Sequence, residues 1–121
     1  MTENKPAFDD GVGAVLVYAT FPDAIEATAL AETLVSRGLI ACANVIAGVT
    51  SIYIWEGKLV RDGEVSVVMK TRRALADDVV AAVRERHSYD NPAIVVLPIV
   101  AGSADFLAWV EAQTALGLGG R

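Results

Sequence analysis

Cys42 and His87 are the single thiol and the single imidazole in a chain of 121 residues. Together a thiolate and an imidazole make good ligands for Cu(I) or Zn(II). Placed side by side they would also supply a nucleophile and its base. For His87, surface capture of a metal competes with two plainer roles: a cation favoured at a helix C-terminus, or a structural hydrogen bond. For Cys42 the plainer role is a small hydrophobe in a packed strand, between Ala41 and Ala43. A second group is charged and aromatic: Trp55, Glu64, Lys70 and Tyr89. Glu64 and Lys70 are the charged members of a largely apolar strand, and Lys70 stands just before a helix start, where an anion can be held. A cleft between subunits lined by these four is the ligand-site candidate. Interface packing is the alternative for Trp55 and Tyr53, and a loop leading into Pro92 for Tyr89.

Other chemistry finds little support. There is no glycine-rich phosphate loop and no HExxH, and Gly11-Val12-Gly13 precedes a strand, the wrong context for a dinucleotide site. Asp77 and Asp78 read as water-facing helix residues. An enzyme is therefore not expected. The net charge of -5, with the ten basic residues scattered, counts against nucleic acid. No charge-free apolar run reaches the ~18–20 residues that span a bilayer, so no membrane is expected. Met1 to Gly11 is acidic and polar, unlike a secretory signal. One cysteine rules out an intramolecular disulfide framework and fits a reducing compartment, with cytoplasm as the default.

The elements that must position these residues can be read from periodicity. Residues 1–11 read as a flexible lead-in, 12–115 as one domain and 116–121 as a loose tail. Val12–Thr20 is a nearly continuous apolar run, as in a central strand. Pro22 marks a helix's first turn, Ala27, Leu30, Ala31, Leu34 and Val35 form its apolar face, and Gly38 stops it. Leu39–Trp55 reads as a long strand interrupted at Gly48. Glu56-Gly57 is a turn, and Asp62-Gly63 a second turn or a bulge. From Glu64 the pattern alternates, with Val65, Val67 and Met69 on one face. Thr71 is expected to cap a second helix in which Leu75, Val79, Ala82, Val83 and Arg86 share a face. Residues 92–100 form the last strand, and Pro98 favours an edge. Ser103 opens a short helix with Phe106, Leu107, Trp109 and Val110 on its apolar side. The order β-α-β-β-α-β is the split βαβ arrangement: an α+β, ferredoxin-like antiparallel sheet with two helices on one face, a long hairpin and a short C-terminal helix.

Two consequences follow from lengths and directions. Sixteen residues of helix span about 24 Å and sixteen of strand about 50 Å, so helices cannot cover the whole hairpin of residues 39–70. Its far end carries Ile52, Tyr53, Ile54, Trp55, Leu59 and Val60, which predicts burial against copies of the same chain. The second consequence concerns Cys42 and His87, which fall at opposite ends of the sheet. A shared ion would need different subunits.

The stretches 39–60 (LIACANVIAGVTSIYIWEGKLV), 64–71 (EVSVVMKT) and 87–92 (HSYDNP), with Pro22-Asp23 and Trp109, closely resemble the CutA family of divalent-cation tolerance proteins. The resemblance implies a ferredoxin-like homotrimer, similar in architecture to PII-type signalling proteins. It also implies a role in tolerance of copper and other divalent cations, with no obligatory cofactor. Members with proposed copper ligation offer a cysteine and a second histidine where this chain has Ala19 and Arg86, which leaves His87 alone of that set. Ser88, Asp90 and Ala47 also depart from the family's usual residues. A small-molecule sensor using the intersubunit clefts is the alternative the PII likeness implies.

Overall fold

Val15, Val17, Ala19 and Phe21 point to one side of the first strand and have no exposed surface. A computed structural model describes residues 13–115, and the 1–11 and 116–121 segments lie outside them. The element order is β1 (Ala14–Phe21), α1 (Ala24–Ser36), β2 (Cys42–Trp55), β3 (Lys58–Arg72), α2 (Ala76–Arg86), β4 (Ile94–Pro98) and α3 (Ala104–Ala115). A four-stranded sheet has the order β2-β3-β1-β4, all pairs antiparallel. That is the expected ferredoxin-like sheet. β1 is central, as its apolar run predicts, and β4 with its terminal Pro98 is an edge.

The core lies between one sheet face and two helices. Val65, Val67 and Met69 pair with Phe21, Ala19 and Val17. Against them pack Ala27, Leu30, Ala31 and Leu34 of α1 and Val79, Ala82 and Val83 of α2. Val35 is 42 % exposed and lies off this face. α1 begins two residues after Pro22, because Asp23 is the N-cap and accepts from the Glu26 N–H at 2.8 Å. Its end is a Schellman turn: Leu39 N–H donates to Leu34, Gly38 N–H to Val35, and Gly38 takes φ +75°.

Several local expectations are corrected. Thr71 is not a cap. It is the buried penultimate residue of β3, and its hydroxyl donates to the Leu39 carbonyl at 2.7 Å. α2 follows a 3-10 turn at Arg73–Leu75 and has no side-chain cap. Arg86 is exposed rather than on the packed face of α2. β3 runs straight through Asp62-Gly63, which pair with Ser51 and Thr50, and the bulge lies on β2 between Ile46 and Val49. Gly48 there takes φ +84°, a conformation that suits glycine.

The other sheet face is mostly uncovered. α3 packs only at one end of it, around Ala14, Ala41 and Val110. Arg72 fastens it there, donating to the Glu111 carbonyl at 2.7 Å and the Thr114 hydroxyl at 3.1 Å. Of the apolar side expected for α3, Val110 is buried and Leu107 half-buried, whereas Phe106 and Trp109 stack on each other outside, each 41 % exposed. Among the described residues no helix is long and apolar enough to cross a membrane.

Candidate functional site

Sequence places His87 at the end of α2, and the structure shows what it does there. The side chain has no exposed surface. Its ring stacks on Phe21 at 4.5 Å between centroids. The Tyr89 N–H donates to Nδ1 at 3.1 Å, so Nε2 carries the proton and donates to the Thr20 carbonyl at 2.7 Å. A Glu26 carboxylate oxygen stands 3.7 Å from Nδ1. Both ring nitrogens are therefore engaged within the chain. A cation bound to His87 must displace one of those partners.

Cys42 begins β2 on the sheet edge, half-buried, across from Lys70. His87 instead bonds Thr20, whose neighbour on β3 is Ser66. Four residues of strand, about 13 Å, separate Lys70 from Ser66, so the two candidates do not meet in one chain. Among the described residues no three of His, Cys, Asp and Glu converge as a metal set.

The four cleft candidates divide in the same way. Glu64 and Tyr89 are brought together: the Tyr89 hydroxyl donates to Glu64 Oε2 at 2.9 Å. Ser51 donates to Oε1 of the same carboxylate at 2.7 Å. Burial pushes the Tyr89 phenol up to about 12, helped by its hydrogen bond to Glu64 and by that carboxylate's charge. Lys70 lies six residues along β3, about 20 Å away, where its ammonium donates to the Asn44 side-chain oxygen. Trp55 sits at the hairpin tip opposite Lys58 and is 64 % exposed. The tip is a two-residue turn with Glu56 at φ +51° and Gly57 at φ +80°, as a type I′ hairpin requires. One chain alone does not close a cleft around the four.

Register shows where the separated residues lie. Across the open sheet face, Cys42, Lys70, Leu16 and Leu97 form one row, and Asn44, Val68, Tyr18 and Val95 the next. The face is polar toward the β2 edge and apolar toward β4, where Val95 is 53 % and Leu97 43 % exposed. A separate shallow groove of about 320 Å³ runs between α1 and β2, lined by Thr28, Glu32, Val35 and Ser36 and by Ala43 and Val45. It holds none of the candidate residues.

Sequence reasoning missed Glu26, Ser88 and Ser51. Glu26 accepts from the Ser88 N–H at 2.9 Å and from its hydroxyl at 2.8 Å. The spacing Asp23-x-x-Glu26 signals a capping box, in which the glutamate reaches back to the cap residue. Here it reaches to a loop 62 positions away instead.

Comparisons with known proteins agree with this architecture. A family model described as CutA1 divalent ion tolerance protein matches residues 15–113. The chain is 37 % identical over 103 residues to "Protein CutA 1, chloroplastic" of Oryza sativa, and it spans a little over half (58 %) of that relative's length. It is 37 % identical over 100 residues to a divalent-cation tolerance protein CutA of Salmonella newport, covering 83 % of this chain and 87 % of that protein. Among solved structures, the divalent ion tolerance protein CutA1 from Ehrlichia chaffeensis superposes with a TM-score of 0.83 at 31 % identity, covering 87 % of this chain and 98 % of that one.

Proposed function

We propose that this chain, which belongs to the CutA1 divalent ion tolerance family, serves divalent-cation tolerance in the cytoplasm as a homotrimer that binds rather than catalyses. One observation carries the reading. An uncovered apolar sheet face, with Leu16 and Tyr18 of β1, Val68 of β3 and Val95 and Leu97 of β4, belongs to the same sheet as the exposed apolar end of the β2–β3 hairpin. Three copies turning those faces toward one another remove both from water, and closed symmetry avoids an open-ended fibre. Such packing also gathers the row containing Cys42 and Lys70 at the subunit boundary, where residues far apart in one chain become neighbours.

Copper is the cation we assign first, with Cys42 as its thiolate ligand from each subunit. His87 is the second choice, because a metal there displaces Thr20 or Tyr89. Against catalysis stands the separation of the thiol from the imidazole. A second reading, small-molecule sensing in intersubunit clefts with metal incidental, is favoured by the Glu64–Tyr89 contact, which presents a carboxylate and a phenol side by side. Light scattering after gel filtration tests the assembly, and a single-chain mass at micromolar concentration refutes it. Calorimetry with Cu(I), Cu(II), Zn(II) and a nucleotide panel, repeated on Cys42→Ala and His87→Ala, separates the two readings.

A further inference from the structure

The outer part of the β2–β3 hairpin is joined to the rest of the sheet through a bulge. At Gly48 β2 carries an extra residue, after which Val49 pairs with Glu64 and the ladder continues to the tip. A bulge bends and twists the strands that carry it, so the ladder alone does not fix the direction of the 49–64 arm. Something must tie the arm's root to the helical layer.

Three consecutive residues after α2 each reach a different element. His87 donates to the Thr20 carbonyl and stacks on Phe21, holding β1. Ser88 gives its N–H and its hydroxyl to Glu26, holding α1. Tyr89 has its backbone fixed by His87 Nδ1 and its ring 4.9 Å from the imidazole, and its hydroxyl donates to Glu64 at the root of the arm. Glu64 uses its other oxygen for Ser51 on the opposite strand of the arm. One carboxylate thus joins the loop to both strands just beyond the bulge.

We infer that residues 87–89 form a strap that sets the direction of the 49–64 arm, with the Tyr89–Glu64 bond as its link and His87 as its anchor. Tyr89 and His87 are positioning residues in this arrangement. The arm carries the exposed Ile52, Ile54, Trp55 and Leu59, so its direction decides which surface those side chains meet. The inference goes beyond the assembly reading and holds for any number of copies.

Hydrogen exchange followed by mass spectrometry on the full chain tests it, using Tyr89→Phe, Glu64→Ala and the double variant. Tyr89→Phe keeps the ring against His87 and removes only the hydroxyl. The expected result is exchange about tenfold faster in residues 49–64, the scale of one lost charge-assisted bond. Rates in α1 and α2 should not change. On the Glu64→Ala background the same substitution should add nothing, because the bond is already gone. Unchanged exchange in the arm, equal acceleration of α1 and α2, or a full second increment in the double variant would each overturn the strap.

Discussion

On the near side of Gly48, β3 carries Val65, Val67 and Met69 beneath two helices, and all three are buried. On the far side, the same two strands carry Ile52, Ile54, Trp55 and Leu59, which are 62–72 % exposed. Aliphatic content does not distinguish these regions, since both are rich in β-branched residues, although the aromatic Tyr53 and Trp55 fall in the far half. Reach does. α1 has 13 residues, about 20 Å, whereas β3 has 15, about 50 Å. The near half is completed within the chain, and the far half is left uncovered by it. An apolar strand pattern therefore does not by itself say whether its own chain covers it.

Substitutions in the two halves should fail differently. Met69→Ala removes buried volume from the near half and should cost about 2–5 kcal/mol. Its melting temperature should fall by the same amount at low and at high protein concentration. Trp55→Asp tests the far half. A charge at a contact between copies should weaken assembly by about 2–4 kcal/mol. Its melting temperature should depend more strongly on protein concentration than that of the wild type, and gel filtration should show a shift toward single chains. Identical mass and melting for this variant would place Trp55 in solvent and abolish the contrast.

A smaller effect should appear at the boundary between the halves. Tyr89 is held neutral in the folded chain up to about 12, against about 10 for an unfolded tyrosine. Its contribution is complete below pH 10. Between pH 10 and 12 the unfolded state gives up this proton while the folded state keeps it, so stability falls as pH rises and the contribution is gone above 12. The gap between wild type and Tyr89→Phe in denaturant midpoints should narrow across that interval. A gap that stays constant to pH 12 would remove Glu64 as the partner that matters.

The smallest expected change is at Cys42. Half-buried at a sheet edge, it should react slowly with a thiol reagent in the assembled protein and quickly after denaturation. Cys42→Ala should cost about 1 kcal/mol, at the small end of cavity effects. Fast labelling of the native assembly would show an exposed thiol and an open boundary between copies.

Much of the fold was legible for identifiable reasons. β1 announced itself by an unbroken apolar run, the Gly38 stop by its residue type, and the edge position of β4 by Pro98. Thr71 misled because a threonine before a helical pattern looks like a cap, yet the strand continues through it and the hydroxyl finds Leu39. Asp62-Gly63 looked like a turn and is ladder, since the true irregularity is the extra residue near Gly48 on the opposite strand. Phe106 and Trp109 followed helical spacing with Leu107 and Val110. Within one chain, however, the sheet end buries Val110 and half-covers Leu107, and leaves Phe106 and Trp109 exposed.

Residue types and their periodicity determined the element order, the antiparallel sheet and the surplus of apolar hairpin. Each depends on neighbours in sequence or on lengths that simple geometry converts to distance. Tertiary structure decided how the polar residues pair. Glu26 and Ser88, 62 positions apart, meet only because α1 and the end of α2 lie on the same sheet face. The imidazole of His87 is turned inward to Thr20 and Phe21 rather than outward to a ligand. Glu64 and Tyr89 are joined while Lys70 and Trp55 are carried away along the strands. Hydrogen bonds act over about 3 Å, so such pairings appear only once packing has fixed where every element lies.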